Sequence, residues 1–122
     1  MLNITQHVAS LAQQKSGVFD VESKDRGDLA HLLTFSSLPT TDTLLYRVEK
    51  IVHFVLKVLE EMDSETTDVM IGGAPYLMGP LSDHLLLAGL QGHFAYSERI
   101  SSEDENGVKT STFAHLGFVK AI

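Results

Sequence analysis

The sequence predicts an α/β fold of the three-layer, Rossmann-like kind: a mostly parallel sheet with helices on both faces and a C-terminal antiparallel hairpin at one edge. Short runs of strand-forming residues alternate along the chain with segments of helical period, an order typical of parallel sheets. An apolar run also stops at Gly72-Gly73, and Pro75 and a helical pattern follow it. This is typical of a buried strand, a tight turn and a helix start. All 122 residues are predicted to form one domain.

Short elements fill the first part of the chain. In each element the apolar residues recur either every second residue, as in a strand, or about every 3.6 residues, as in a helix. Glycines or capping residues separate one element from the next. The predictions in chain order are a strand at residues 1–5, a helix at 8–14 that buries Val8, Leu11 and Ala12, a strand at 18–21, and a helix from an Asp25 cap to Phe35.

The longest predicted helix follows a polar loop at residues 36–42. Apolar residues recur there at i, i+3, i+4 and i+7, and most charged residues fall off this stripe, which is typical of an amphipathic helix. The stripe consists of Leu44, Leu45, Val48, Ile51, Val52, Val55, Leu56 and Leu59.

Two prolines make two starting points possible for the next helix. Pro75 suits a first helical turn, whereas Pro80 in a helix interior removes a backbone hydrogen bond. The helix therefore begins at Pro75 and kinks, or begins at Pro80 after an irregular loop, and it ends at Gly89 in either case.

The C-terminal third predicts a β-hairpin. Residues 93–100 alternate around Phe94 and Tyr96, and the pair Asn106-Gly107 is a strong hairpin signal. The returning strand is predicted at residues 108–119, with Gly117 as the site of a bulge.

Composition excludes several classes of function. The chain has no cysteine, so disulfides, thiolate metal sites and thiol nucleophiles are excluded. Its formal net charge of −7 argues against broad binding to nucleic-acid backbones, which depends on Lys and Arg. Neither a signal peptide nor a membrane span is recognisable, so we expect a soluble, cytoplasmic protein. No cofactor or metal site is predicted, and we expect His31, His53, His84, His93 and His115 to be structural or exposed because they show no ligand spacing.

The carboxyl ends of the predicted parallel strands indicate where a ligand would bind. In open α/β sheets, ligands lie beyond these ends, where the strand order reverses. Glycines there allow close approach, and backbone N–H groups favour an anion. The ligand-binding residues predicted by this rule are Thr5, Gln6, Gly72, Gly73, Ala74, Tyr76, Tyr96 and Arg99, and His7 and Ser97 are the predicted catalytic residues.

Each of these residues also has a structural interpretation. Arg99 either grips a phosphate or carboxylate or pairs with the acidic residues near it. Ser97 either binds a phosphate oxygen or forms a turn. His7 either moves protons, caps a helix or is merely exposed to solvent. Tyr76 and Tyr96 either stack on a base or belong to the core, and Gly72-Gly73 is either a ligand loop or only turn geometry.

Five motifs carry a resemblance to known families. They are LNITQH at residues 2–7, LTF at 33–35 with Leu38-Pro39, MIGGAPYLM at 70–78, FAYSER at 94–99 and FAHLGFV at 113–119. Through these motifs the sequence is similar, over nearly its whole length, to a family of small uncharacterised proteins carried by phages and other mobile elements. It also resembles the small CRISPR-associated Rossmann-like sensor and ring-nuclease proteins, which bind cyclic oligoadenylates.

The second resemblance implies an anionic nucleotide at the strand ends, usually across a homodimer interface. The residues that it implies are Thr5, Gln6, His7, Gly72, Gly73, Ser97 and Arg99. Glu98 departs from the second basic residue that this resemblance leads us to expect beside Arg99. We therefore expect either a domain that binds a small anionic nucleotide-type ligand, with or without hydrolysis of it, or a non-enzymatic homodimeric interaction protein of a mobile element.

Overall fold

The fold, described for residues 1–122 by a computed structural model, is a five-stranded mixed sheet with helices against it. Strand order is β2-β1-β3-β4-β5; the first four strands are parallel, and β5 is antiparallel to β4. The elements are β1 (Leu2–Asn3), α1 (Leu11–Lys15), β2 (Phe19–Asp20), α2 (Ser23–Leu32), α3 (Thr41–Glu61), β3 (Asp68–Met70), α4 (Pro75–Leu87), β4 (Gln91–Glu103) and β5 (Lys109–Lys120).

One face of the sheet carries the hydrophobic core. Alternate residues of a strand point to opposite faces, and Leu2, Ile4, Val69 and Ile71 all point toward α2, α3 and α4 in one cluster of 18 buried residues. The prediction of a mixed α/β fold with a mostly parallel sheet and a C-terminal antiparallel hairpin is therefore confirmed.

The opposite face is only partly covered. Ala9 and Val18, which flank α1, pack there on Met70, while α1 itself buries no residue. Val8 and Leu11 are 63% and 75% exposed, so the predicted buried face of this helix is wrong. Five residues form too short a helix to present a continuous apolar face, and the predicted third layer is reduced to α1 and its loops.

The long helix α3 confirms the strongest sequence pattern. Thr40 caps its N-terminus by accepting a hydrogen bond from the Thr43 N–H. In the centre of the predicted stripe, Val48, Ile51 and Val55 are fully buried. Leu45 and Leu56, at the margins of the stripe, stay about 40% exposed because the sheet and α4 cover less than its full width. Helix α4 begins at Pro75 and contains Pro80 within it, which decides between the two predicted starts.

Most element boundaries differ from the predictions by a few residues. Helix α2 begins at Ser23 rather than after Asp25, and its N-cap is Glu22. The hairpin connection is longer than the two-residue turn that Asn106-Gly107 suggests, since β4 ends at Glu103 and β5 begins at Lys109. The register shifts where Tyr96 faces Gly117 and Ser97 faces His115, which confirms the predicted bulge at Gly117.

This bulge separates two regions. The part of β4 that precedes the bulge pairs with β3 through residues 91–93 and belongs to the body of the domain, and we call this side "below the bulge". Above it, residues 97–115 form a hairpin that pairs only with itself, and we call this segment the arm. Every arm residue except Ala114 and His115 is exposed. None of the helices combines the length and apolarity needed to cross a membrane.

Candidate functional site at the strand ends

The loop after β1 is held in shape by one buried side chain. Asn3 is 2% exposed, and its Nδ2 donates to the backbone oxygen of His7 (2.7 Å) and to Oδ1 of Asp20 (2.8 Å). Its Oδ1 accepts from the N–H of Thr5 (2.9 Å) and from Thr5 Oγ1 (2.7 Å). Asp20 Oδ1 also accepts from the N–H of Ala9 (3.0 Å). Only the backbone oxygen of His7 takes part in these hydrogen bonds. The His7 side chain is exposed and makes no hydrogen bond.

The turn after β3 lies against this loop. A Cβ on Gly72 would lie 3.3 Å from Thr5 Cγ2, so a side chain there would push the two loops apart. The N–H groups of Gly72 and Gly73 donate to no acceptor in the protein, and the same holds for those of Gln6, His7 and Val8. Two neighbouring loops therefore keep unused backbone donors at the same end of the sheet.

A cavity of about 490 Å³ lies between these two loops, and we call it the rim cavity. It is at the topological switch point, because the chain leaves β1 toward β2 on one side and later adds β3 on the other. Open α/β sheets bind ligands at this point, and the volume lies within the range of small-molecule sites. The lining residues are Thr5, Gln6, His7, Val8, Gln13, Met70, Ile71, Gly72, Gly73, Phe94 and Ala95.

Half of the residues predicted for the site come together here. Thr5, Gln6, His7, Gly72 and Gly73, which come from two distant parts of the sequence, all line the rim cavity.

Two more predicted residues belong to the next helix and lie outside the cavity lining. Ala74 is the N-cap of α4 and packs against the core. Tyr76 is 51% exposed and sits edge-on to Phe35, with ring centroids 5.7 Å apart, on the helical side of the sheet.

Three predicted residues lie outside the rim cavity altogether. Pairing between β3 and β4 stops at His93, but β4 continues to Glu103. The last β4 residue that lines the rim cavity is Ala95, so at about 3.3 Å per strand residue Ser97 is about 7 Å and Arg99 about 13 Å beyond it. Arg99 donates from Nη2 to Ser111 Oγ (3.1 Å) on the arm, and Tyr96 is 56% exposed just below the bulge. The prediction that Tyr96, Ser97 and Arg99 share the rim is wrong, since it assumed that β4 ends level with its neighbours.

The most important residues missed from sequence are Asn3 and Asp20. Neither lines the cavity, yet both hold the loop that does. A signal was present: Asn3 is polar between Leu2 and Ile4 in an otherwise apolar strand, and a buried amide must satisfy its hydrogen bonds.

The rim cavity is nearly uncharged. His7 is its only ionisable side chain, and neither Lys nor Arg lines it. No group of three or more His, Asp or Glu side chains is arranged to hold a metal ion.

Outside the cavity, a hydrogen bond to Glu61 and the charge of that carboxylate raise the pKa of Lys24 above its ordinary value of 10.5.

The other histidines lie away from the cavity. His93 is 8% exposed, and its Nε2 lies 2.8 Å from Asp68 Oδ1. The ring of His115 packs on Phe118 with centroids 4.8 Å apart. His31, His53 and His84 lie along the helices. None of these five residues contributes to the lining of the rim cavity.

Comparison with known proteins adds a family. A family model described as "Uncharacterized protein MJ1673 family" matches residues 1–119. Neither a curated protein nor a solved structure matches the chain.

Proposed function

The chain belongs to the uncharacterised protein MJ1673 family, whose description names no activity, and we propose a function from the rim cavity itself: binding of a small anionic ligand of the nucleotide type. The observation that carries this proposal is that two loops with unused backbone N–H groups meet around a cavity at the switch point of the sheet. Backbone donors oriented by strand ends and a following helix are a common way to hold phosphate groups.

The walls of the cavity suit the rest of a nucleotide. Val8, Met70 and Phe94 provide apolar surface for a base or sugar, and Thr5, Gln6 and Gln13 provide hydroxyl and amide groups. Cavities of this kind combine a mostly apolar lining with a few polar groups that fix orientation. Cyclic oligonucleotides, which the sequence resemblance implies, belong among the ligands to be tested.

Any hydrolysis in this cavity would depend on His7. It is the only histidine among the lining residues, and histidine is the side chain that most often serves as a general base. His7 would take a proton from a water molecule as that water attacks the phosphorus, and the bond from phosphorus to the leaving sugar oxygen would break, with the leaving oxygen taking up a proton. Ser97, the other predicted catalytic residue, lies on the arm and takes no part in this scheme.

Thermal unfolding with a panel of nucleotides tests the binding. Mononucleotides, dinucleotides and cyclic oligoadenylates should be compared, and a ligand at 100 times its Kd should stabilise the protein by about 2.7 kcal/mol. Ala95→Leu fills the cavity and should remove the shift, whereas Ala30→Leu on exposed helix α2 should preserve it. The proposal fails if no member of the panel shifts the melting temperature of the unmodified protein.

A separate assay tests hydrolysis. Chromatography of the bound nucleotide after incubation should show product with the unmodified protein and none with His7→Gln, while both proteins bind the ligand. Product formation at equal rates in both would exclude His7 as the catalytic group.

A second function is favoured by the arm. Phe113 is 76% exposed on a hairpin that projects from the body, and exposed apolar side chains can mark protein contacts. Ile100, 48% exposed, lies on the opposite face of the hairpin, because Phe113 pairs with its neighbour Arg99. A homodimeric interaction protein of a mobile element would use the face that carries Phe113. Sedimentation over a 100-fold dilution should then show dimer dissociation, and Phe113→Ser should shift it to higher concentration. A monomer at all concentrations would contradict this alternative.

A further inference from the structure

A second hollow adjoins the rim cavity and shares one lining residue with it. This hollow, of about 690 Å³, lies at the carboxyl end of β2, and Val8 lines both spaces. We call it the β2 hollow. It is lined by Val8, Asp20, Val21, Glu22, Ser23, Lys24 and Arg26. A ligand that extends along the strand ends past Val8 would therefore occupy both.

Arg26 gives the β2 hollow the charge that the rim cavity lacks. Its side chain is half-buried and makes no hydrogen bond or ion pair with the protein. Lys24 beside it is already engaged, since its Nζ lies 3.4 Å from Glu61 Oε2. A guanidinium with all its donors unused matches the bidentate geometry of a phosphate.

The two carboxylates of the hollow have different roles. Asp20 accepts through Oδ1 from Asn3 and Ala9, so it is committed to holding the loop. The carboxylate of Glu22 is exposed and accepts no hydrogen bond, although its backbone oxygen accepts from the N–H of Asp25. A carboxylate in this place repels a phosphate that contacts it directly but accepts hydrogen bonds from the hydroxyls of a ribose.

We propose that the ligand is a short oligonucleotide with two separate phosphates, one at the Gly72-Gly73 turn and one at Arg26. The inference rests on the proposed nucleotide binding and extends it. Val8 lies against the sugar or base between the two phosphates, and Glu22 accepts from a ribose hydroxyl. A mononucleotide fills only the rim cavity.

The test compares three probes by isothermal titration calorimetry: AMP, ApA with one internal phosphate, and pApA with an additional 5′-phosphate. We expect pApA to bind about 10-fold or more tightly than ApA, as a charge-assisted phosphate contact allows. Arg26→Gln should reduce this advantage to less than about twofold and leave the affinity for ApA nearly unchanged. Arg99→Gln, the same substitution on the arm, should preserve the advantage.

The outcomes separate the two proposals. If AMP and ApA bind but pApA gains nothing, or if Arg26→Gln leaves its gain intact, the second phosphate site is wrong and nucleotide binding stands. If Arg26→Gln weakens all three probes equally, Arg26 serves the first phosphate and the extended ligand is wrong. If Arg99→Gln removes the gain, the second cation is Arg99 of another copy, and the assignment of the second phosphate to Arg26 is wrong. If no probe binds, this inference fails, and nucleotide binding is decided by the wider panel of the thermal unfolding test.

Discussion

The body and the arm contain the same two strands in opposite environments. Below the bulge, β4 lies between β3 and β5, and Gly92 and His93 are buried. Above it, β4 has β5 as its only neighbour, and Ile100 and Phe113 are exposed. The difference teaches that strand length, more than strand sequence, decides where a β4 residue acts. Only five residues lie between the buried His93 and Arg99, yet Arg99 is far from the rim.

A matched pair of substitutions measures this contrast most strongly. Ile51 in α3 is fully buried, so Ile51→Ala should lower the free energy of unfolding by about 2–5 kcal/mol through lost burial and a cavity. Ile100→Ala on the arm should cost less than about 1 kcal/mol, because half of its surface is already in water. Urea unfolding of both variants gives the comparison.

An equal cost for both substitutions would break the contrast. If the cost of Ile100→Ala also grew with protein concentration, a second copy of the chain would be covering the arm. That result would favour the homodimeric interaction protein over the ligand-binding domain.

The second largest effect concerns the loop that shapes the rim cavity. Asn3→Ala removes both donors and the acceptor that hold Thr5, His7 and Asp20, and it should destabilise the protein by about 1–3 kcal/mol because buried partners lose their bonds. It should also weaken ligand binding. Asn106→Ala at the arm turn is the matched control, since only the backbone of Asn106 is hydrogen-bonded there.

Urea midpoints and nucleotide-induced shifts in melting temperature should be recorded for both variants. A loss of stability without loss of binding in Asn3→Ala would show that the loop keeps its shape without the amide. Equal losses in the two variants would mean that Asn3 has no special place in the site.

The body was more predictable from sequence than the arm. The α3 stripe could be recognised because a sheet beneath a helix imposes the 3.6-residue period on Val48, Ile51 and Val55. The convergence of Thr5 with Gly72 followed from the parallel order of the strands, since their carboxyl ends must meet at one edge. Whether this edge binds a nucleotide stays a prediction.

The position of Arg99 could not be predicted, because the register between β3 and β4 depends on tertiary contacts. Nothing in the sequence between His93 and Arg99 marks the point where β3 stops pairing. The exposure of Val8 and Leu11 was missed for a related reason: the pattern of a short amphipathic helix is present, but this face of the sheet offers little apolar surface for it.

Two glycine-to-alanine substitutions, one in the arm and one in the body, should give a third and smaller effect. Gly107 in the arm turn has φ = +77°, a conformation that costs other residues about 1–2 kcal/mol, so Gly107→Ala should destabilise the hairpin by about 1 kcal/mol. Gly27→Ala in α2 of the body should stabilise by about 0.5–1 kcal/mol, since nothing lies within 4 Å of the added Cβ.

Hydrogen exchange of the arm and body amides separates local from global effects. We expect Gly107→Ala to speed exchange in the arm alone, because the arm can open without unfolding the core. Faster exchange throughout the body would show that the two regions unfold together.

The smallest expected effect comes from exposed polar contacts, where body and arm should behave alike at neutral pH. Lys24 joins α2 to Glu61 at the end of α3, and Arg99 joins the two arm strands through Ser111. Exposed polar contacts of this kind contribute little to the free energy of unfolding. Lys24→Gln and Arg99→Gln should therefore both leave the urea midpoint nearly unchanged at pH 7.

Alkaline pH distinguishes the two contacts. The folded-state pKa of Lys24 is raised above 10.5 by Glu61, so its contribution is complete below pH 10.5 and is lost as the pH rises through the folded value. The small difference in urea midpoint between the unmodified protein and Lys24→Gln should vanish across that window. The corresponding difference for Arg99→Gln should persist, because the guanidinium stays charged. A Lys24→Gln difference that is unchanged by alkali would mean that the lysine contributes through its aliphatic chain instead of its charge.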